Sequence, residues 1–99
     1  MKIRWSVLAI EHVAEIAEYI QRDNPMAAEK WVESVFQVVG QLAQFPESGR
    51  IIPEIKQQHF REIIHGHYRV IYRLEEKQIS ILTIRHGKQI LPVDEIMDE

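Results

Sequence analysis

The beginning of the chain alternates briefly between polar and apolar positions and then repeats with a helical period. Residues 2–6 read KIRWS, a pattern typical of a short strand, and Ser6 is placed to accept a hydrogen bond from the first turn of a helix. From Ile10 to Arg22 the apolar residues recur at spacings of three and four, and glutamates occupy the other side. The pattern predicts a short strand followed by an amphipathic helix.

A second helical repeat begins at Asp23-Asn24-Pro25. The residue before a proline resists helical dihedral angles, asparagine caps helices well, and proline suits the first helical turn. The apolar stripe that follows predicts a helix ending near Phe45-Pro46, paired with the first helix as a hairpin. Gly40 lies within this helix, and because glycine is unfavourable there we expect two backbones to approach closely at that point.

Three later stretches, His59–His65, His67–Leu74 and Ile79–Arg85, have the composition and alternation of strands. Gly66 and the segment 75–77 are the predicted reversals between them. Because helices are followed by strands, we predict an α+β fold in which an N-terminal short strand and a helical hairpin pack on one face of a small antiparallel β-sheet. We expect residues 1–99 to form a single domain, with 92–99 as an acidic C-terminal tail.

The middle predicted strand has two different faces. Tyr68, Val70, Tyr72 and Leu74 are expected to face the helices, and His67, Arg69, Ile71 and Arg73 to lie on the far side. The last strand is apolar on both sides, with Ile79 and Ile81 on one face and Leu82 and Ile84 on the other. We therefore expect the far side to leave the arginine guanidinium groups free and to be a docking face for a partner.

The net charge of -3 conceals an asymmetry along the chain. Residues 49–91 contain eight Lys or Arg and four Asp or Glu, whereas residues 92–99 contain four acidic residues and no basic one. The distribution predicts a basic working surface beside an acidic tail, or simply a well-solvated sheet face. There is no cysteine and no apolar run long enough for a signal or membrane segment, so we expect a cytoplasmic protein.

Basic side chains of the central block are candidates for binding phosphate or carboxylate groups, because guanidinium forks match both geometries. For Arg73, which precedes an acidic turn, a local ion pair is favoured, whereas Arg69 and Arg85 lie inside apolar runs and are assigned to recognition. Some of these side chains could instead cover sheet edges or pair with Glu62, Glu75 and Glu76. The candidates are Arg61, Arg69, Arg73, Arg85 and Lys88.

Histidines offer two kinds of chemistry. His65 and His67, with His59 or His86 as a third ligand, could hold a metal ion, but Gly66 is the predicted reversal and breaks their common face, so we predict no metal and no cofactor. His86 is the candidate for proton transfer, although a backbone hydrogen bond that closes the sheet would explain it equally well. No Walker loop, dinucleotide fingerprint, HExxH or GxSxG motif is present.

Five segments taken in order resemble the ParE/RelE superfamily of toxins from type II toxin-antitoxin systems, which stabilise plasmids. They are WS..A at residue 5, DNP.AA at residue 23, FPESGR at residue 45, FREIIHGHYRVIYR at residue 60 and ILTIRHGK at residue 81. The resemblance spans about Trp5 to Lys88. It implies a compact toxin whose acidic antitoxin wraps its sheet and helix surfaces, and a basic groove would steer such a partner.

For the RelE-like branch, the resemblance implies a ribosome-dependent mRNA endoribonuclease. An arginine matched here by Arg69 stabilises phosphate in that branch, and basic residues with a tyrosine or histidine near the C-terminus complete the site. The catalytic candidates would then be Arg69, Arg85 and His86. The chain departs from this pattern, because it has no tyrosine after Tyr72 and ends in PVDEIMDE.

For the ParE-like branch, the resemblance implies a protein that binds and inhibits DNA gyrase without a known hydrolytic site. Its last strand commonly ends in a His-Gly-basic run like residues 86–88, although Gln89 replaces a second basic residue. We favour this branch: a gyrase-inhibiting toxin that causes growth arrest and is neutralised by a cognate antitoxin, with a module that has lost its toxicity as a further alternative. The candidate target- or antitoxin-binding residues are Arg61, His67, Arg69, Ile71, Arg85, His86 and Lys88.

Overall fold

The computed structural model describes residues 1–98 and has the predicted α+β fold. Five strands form one sheet in the order β1-β5-β4-β3-β2, and a helical hairpin packs on one face of it. Within residues 1–98, none of the helices combines the length and the hydrophobicity that crossing a lipid bilayer requires. The elements are β1 (Lys2–Trp5), α1 (Val7–Gln21), α2 (Pro25–Gly40), a 3₁₀ turn (Gln41–Ala43), β2 (Arg50–Ile51), β3 (Phe60–His65), β4 (Tyr68–Leu74), β5 (Gln78–His86) and α3 (Val93–Asp98).

Both long helices begin where capping chemistry predicts. The Ser6 hydroxyl accepts a hydrogen bond from the Ala9 N–H at 3.0 Å, and the Asn24 side-chain oxygen accepts one from the Ala27 N–H at 3.1 Å. Helix α2 ends at Gly40, earlier than predicted, and the 3₁₀ turn continues the chain. The close backbone approach expected at Gly40 is wrong, because a Cβ atom placed there would meet no heavy atom within 4 Å.

The sheet is mixed, whereas we expected it to be antiparallel throughout. Strands β3, β4 and β5 form the predicted antiparallel meander, but β1 pairs in parallel with β5, from Lys2 opposite Gln78 to Trp5 opposite Ile81. Parallel pairing needs a long connection between the strands, and the helical hairpin together with the meander provides it. The two-residue strand β2 was not predicted and pairs with β3 at the other edge.

The main core lies between the helical hairpin and the sheet, on the predicted face of β4. Val70 and Tyr72 are buried there, and Tyr68 and Leu74 pack against the same cluster. A bulge interrupts the register of β4 and β5, since Ile71 lies opposite Thr83 but Tyr72 lies opposite Ile81. The extra residue returns Ile84 to the helix side, so the expectation that Ile84 shares the far face with Leu82 is wrong.

The far side of the sheet is closed by the chain itself and is not the open docking face that we expected. Its cluster of buried side chains consists of Ile52, Phe60, Ile71, Leu82, Leu91 and Ile96. Helix α3, formed by the acidic segment, contributes Ile96, and the loop before β3 contributes Ile52. The described part of the tail is therefore ordered on the body of the protein; Glu99 lies outside the described residues.

Candidate binding surface at the end of the sheet

Arg69 is engaged inside the protein, so the expectation of a free guanidinium is wrong. Its Nε donates to Glu62 at 2.5 Å, and its terminal nitrogens donate to the two carboxylate oxygens of Glu54 at 2.8 and 2.9 Å. The side chain of Glu62 is 0% exposed and also accepts from Arg50 Nε at 2.5 Å. Glu62 lies opposite Ile71 and therefore diagonal to Arg69 on the far face, where the two charges neutralise each other.

Two members of this network, Arg69 and Glu54, have pKa values that are shifted toward their charged forms. The hydrogen bonds from Arg69 lower the pKa of Glu54, and the hydrogen bonds to Glu54 and then Glu62 raise the pKa of Arg69 further above its already high value. Arg69 and Glu54 therefore both stay charged in the native state, and the guanidinium group of Arg69 has no free pair of donors for another anion.

Two further predicted binding residues also have internal partners. Arg61 donates to three backbone carbonyl groups, those of Glu47, Gly49 and Gln58, at 3.3, 2.9 and 3.0 Å. Ile71 is fully buried in the far-side cluster. Arg61 therefore holds the loop before β2 by hydrogen bonds, and Ile71 is a core residue. Neither side chain forms an open contact surface on the far face.

The remaining predicted residues come together where the strands end. The β3–β4 hairpin turns through Gly66 and His67. Gly66 has a φ of 60°, and glycine is preferred at such a position because it has no Cβ. The Gly87 N–H donates to the His67 carbonyl at 2.7 Å, which joins this turn to the end of β5. We call His67, His86, Gly87 and Lys88 the sheet-end surface.

Hydrogen bonds orient His86 within the sheet-end surface. Its backbone N–H donates to the Gln89 side-chain oxygen at 2.9 Å, and its Nδ1 accepts from the Lys88 N–H at 3.2 Å. Because Nδ1 is the acceptor, the hydrogen of the neutral ring is on Nε2. The rings of His67 and His86 are nearly parallel, with centroids 6.2 Å apart. Gln89, the departure from the family pattern, therefore caps the end of β5.

Arg85 lies beside the sheet-end surface and is oriented by two residues. Its Nε donates to the Thr83 hydroxyl at 3.1 Å, and the same hydroxyl is hydrogen-bonded to Nδ1 of His12 on α1 at 2.7 Å. Burial, and secondarily the charge of Arg85, lower the pKa of His12. Sequence reasoning missed His12 and Thr83; the available signal was a histidine beside the buried positions Ala9 and Val13 of α1.

Two pockets flank the sheet-end surface. One, of about 220 Å³, borders Arg50 and Ile64 on the far side of the sheet, and the other, of about 340 Å³, lies between α1 and the end of β5. Both are lined in part by Tyr68 and His86. A larger pocket of about 640 Å³ near Phe45 is lined by none of the candidate binding residues, so its size does not relate it to this surface.

The other predicted chemistry is accounted for locally. Nε2 of His65 is hydrogen-bonded to the Ser34 hydroxyl at 2.8 Å, and Arg73 forms the predicted ion pair with its acidic turn, at 3.3 Å from Glu75. In the part of the chain that the structure describes, no group of three or more His, Asp or Glu side chains is arranged to hold a metal ion.

Known proteins share both the sequence pattern and this architecture. Residues 3–91 match the family model described as "ParE toxin of type II toxin-antitoxin system, parDE". The chain belongs to this family. A curated relative from Sinorhizobium fredii, named "Putative toxin Y4kP", is 34% identical over 91 residues, which cover 92% of this chain and 93% of the relative. The region that matches the family model includes the sheet-end surface and ends before α3.

Solved structures of the ParE and RelE branches share the fold. A chain of the "Chromosomal ParDE TA system from P. aeruginosa" superposes with a TM-score of 0.74 at 23% identity, covering 89% of this chain and 97% of that one. A chain of the toxin-antitoxin complex RelBE2 from Mycobacterium tuberculosis superposes with a TM-score of 0.55 at 18% identity, covering 86% and 95%. At these identities the likeness establishes the common architecture.

Proposed function

We propose that this ParE-family toxin acts in the cytoplasm by binding DNA gyrase and blocking supercoiling, and that a cognate antitoxin neutralises it. The observation that carries the proposal is the family match over residues 3–91. The curated relative is itself named as a toxin, and the P. aeruginosa neighbour belongs to a ParDE system. Inhibition by binding requires a preformed surface, and the sheet-end surface is the best candidate for it.

The geometry of the sheet-end surface supports a binding role. Hydrogen bonds join its two turns and orient His86, so little side-chain freedom would be lost when a partner binds. His67 and Lys88 are exposed, and Arg85 lies beside them. A cationic surface of this kind steers an acidic partner and accelerates its association.

The state of Arg69 favours the gyrase branch over the ribonuclease branch. The ribonuclease expectation assigns phosphate stabilisation to this residue, but its guanidinium is already bound by two carboxylates, and its side chain is only 7% exposed. A phosphate would have to displace Glu54 and approach the buried Glu62, at a large electrostatic cost.

A supercoiling assay tests the proposal directly. Purified toxin is titrated into gyrase with relaxed plasmid and ATP, and we expect loss of the supercoiled product or accumulation of cleaved DNA. Addition of the purified antitoxin should restore supercoiling. Undiminished supercoiling at excess toxin, together with growth arrest in cells that express the toxin, would reject gyrase as the target.

One observation supports the alternative, a ribosome-dependent mRNA endoribonuclease. Arg85, His86 and a second histidine, His12, line one pocket, and a pair of imidazoles can supply an acid and a base. This alternative predicts codon-phased cuts in translated mRNA after the toxin is induced. Transcripts that stay intact during growth arrest would eliminate it.

A further inference from the structure

The pocket between α1 and β5 brings an arginine, a glutamate and two histidines together. It has a volume of about 340 Å³, and its polar lining side chains are His12, Glu15 and Tyr19 from α1, Tyr68 from β4, Arg85 and His86 from β5, and Gln89. Its charge and hydrogen-bonding groups indicate what it can bind.

Arg85 is the cation that lines this pocket, and its guanidinium group is available to bind an anion. Its Nε donates to Thr83, and within residues 1–98 no carboxylate lies within 4 Å of its guanidinium. Arg69, directly opposite it on β4, has two carboxylate partners instead. The two terminal nitrogens of Arg85 therefore remain to bind an anionic group, and a planar carboxylate matches them with two parallel hydrogen bonds.

Thr83 and His12 hold Arg85 in place. Thr83 is 2% exposed, and its hydroxyl is bound both to His12 Nδ1 at 2.7 Å and to Arg85 Nε at 3.1 Å. The hydroxyl and the imidazole thus connect the guanidinium to helix α1. An arginine that is fixed at Nε loses less conformational entropy when its terminal nitrogens bind a ligand.

The charge balance of the pocket selects the kind of anion. Burial and the neighbouring Arg85 lower the pKa of His12, so its ring is neutral at neutral pH. His86 accepts a hydrogen bond at Nδ1, which leaves Nε2–H as the donor of its ring. Glu15 supplies one negative charge beside the positive charge of Arg85. The charge of a single carboxylate is offset by that of Arg85, whereas a doubly charged phosphate would leave one negative charge uncompensated beside Glu15.

We infer that this pocket binds an aspartate or glutamate side chain of a protein partner, with Arg85 and His86 as the binding groups and Thr83 and His12 as positioning residues. Identifying that partner as the antitoxin rests on the proposed function. The carboxylate site itself does not rest on the proposed function, because its affinity for a carboxylate is measured on the isolated chain.

Titration of the isolated protein with small anions tests the inference. Sodium acetate and inorganic phosphate are added separately at constant ionic strength and pH 7, and NMR follows the Nε–H of Arg85 and the ring signals of His12 and His86. We expect these signals to shift saturably with acetate and to require higher concentrations of phosphate. Unsaturable shifts would overturn the site, and tighter binding of phosphate would overturn the carboxylate assignment in favour of a nucleic-acid ligand.

Three variants separate binding from positioning. Arg85→Lys, which keeps the charge and loses the fork, should weaken acetate binding about tenfold. Thr83→Val, which keeps the side-chain shape, should weaken it less and should accelerate hydrogen exchange at Arg85 Nε while the protein remains folded. Arg22→Lys, at the exposed end of α1, is the control and should bind acetate like the wild type. Equal affinities in all three variants would refute the assignment to Arg85.

The two proposals can fail independently. A flat acetate titration beside full gyrase inhibition would remove the carboxylate site and leave the toxin function in place. A saturable acetate titration together with uninhibited gyrase would support the carboxylate site and reject gyrase as the target.

Discussion

Arg69 forms a cluster with Glu62, Glu54 and Arg50. Its role in the folded sheet differs from the exposed role that the strand pattern predicts. Arg69 has the alternation of an exposed strand residue, yet its side chain is only 7% exposed and is bound by two carboxylates. A buried ion pair contributes little net stability when it is intact, but removing one partner leaves an uncompensated charge. The contribution of this ion pair to stability is therefore measured mainly as the free energy lost when one partner is removed.

We predict that Arg69→Ala destabilises the protein by about 3 to 5 kcal/mol, because the buried Glu62 would keep only Arg50 as a partner. Urea unfolding followed by circular dichroism measures the change. Lys88→Ala, which removes an exposed charge, is the control and should change stability by about 0.5 kcal/mol or less. A cost for Arg69→Ala as small as that of the control would contradict the paired role of this arginine.

The same cluster makes a prediction about pH. The pKa of Glu54 is lowered from its ordinary value of 4.5 in the folded protein by the hydrogen bonds from Arg69. The stability that ionised Glu54 contributes is therefore complete above about pH 4.5 and is lost as the pH falls through the lower, folded-state pKa.

We predict that Glu54→Gln is less stable than the wild type at pH 7 and that the difference narrows as the pH falls below about 4.5. Urea unfolding of both proteins over a series of pH values measures this convergence. A difference that stays constant down to strongly acidic pH would show that Glu54 does not contribute through its charge.

At the scale of elements, the loop between α2 and β3 is held by strand β4. The Tyr72 hydroxyl donates to the Pro46 carbonyl at 2.9 Å and accepts from the Gly49 N–H at 3.0 Å. Gly49 is buried, and a Cβ atom there would lie 2.5 Å from the Tyr72 hydroxyl oxygen and 2.7 Å from the Glu62 carbonyl oxygen. The loop therefore requires a residue without a side chain at this position.

We predict opposite effects for two glycine-to-alanine substitutions. Gly49→Ala should destabilise by about 1 to 3 kcal/mol, because the added methyl group clashes with the backbone and the core tyrosine. Gly40→Ala has open space and helical dihedral angles, and should stabilise by about 0.5 to 1 kcal/mol. Thermal unfolding should move the two midpoints in opposite directions. A raised midpoint for Gly49→Ala would contradict the described loop packing.

Element boundaries could be predicted from the sequence where local chemistry sets them. Ser6 and Asn24 cap their helices by hydrogen bonds to residues three positions on, so the sequence around each contains the whole interaction. The bulge at Leu82 and the strand β2 depend on partners from distant parts of the chain. The face of Ile84 was therefore predicted wrongly, and β2 was not predicted at all.

At the scale of the whole molecule, one end of the sheet carries exposed basic and imidazole groups, whereas the far side is covered by α3. Helix α3 supplies Asp94 and Glu95 in its first turn and buries Ile96. The acidic segment is thus part of the folded body in the described residues. The sheet-end surface remains as the cationic surface to which the binding function is assigned.

A pair of charge reversals tests this placement. Lys88→Glu changes the sheet-end surface, whereas Lys30→Glu makes the same charge change on the exposed side of α2. We predict that Lys88→Glu lowers the potency of gyrase inhibition about tenfold, because it opposes the charge that guides the partner, and that Lys30→Glu keeps full potency. Supercoiling titrations measure both. Equal loss in the two variants would move the binding surface elsewhere.

The candidate site could be predicted only in part. His67, His86 and Lys88 were each named as candidates from the sequence, and they lie together in the structure because consecutive antiparallel strands bring their ends to common edges. Arg69 was placed on the correct face but assigned the wrong environment. His12 reaches Thr83 across 71 positions of the chain, a contact that depends on how α1 packs against β5.

The sequence by itself determined the helix starts, the helix-facing side of β4, the reversal at Gly66 and the toxin family, because each depends on neighbouring residues or on a pattern carried along the chain. Only the tertiary structure decided which charges remain at the surface. Whether an arginine binds a partner or an internal carboxylate depends on what other segments bring next to it. For Arg69 those segments supply Glu62 and Glu54, and for Arg85 they supply a hydroxyl, which leaves its charge available.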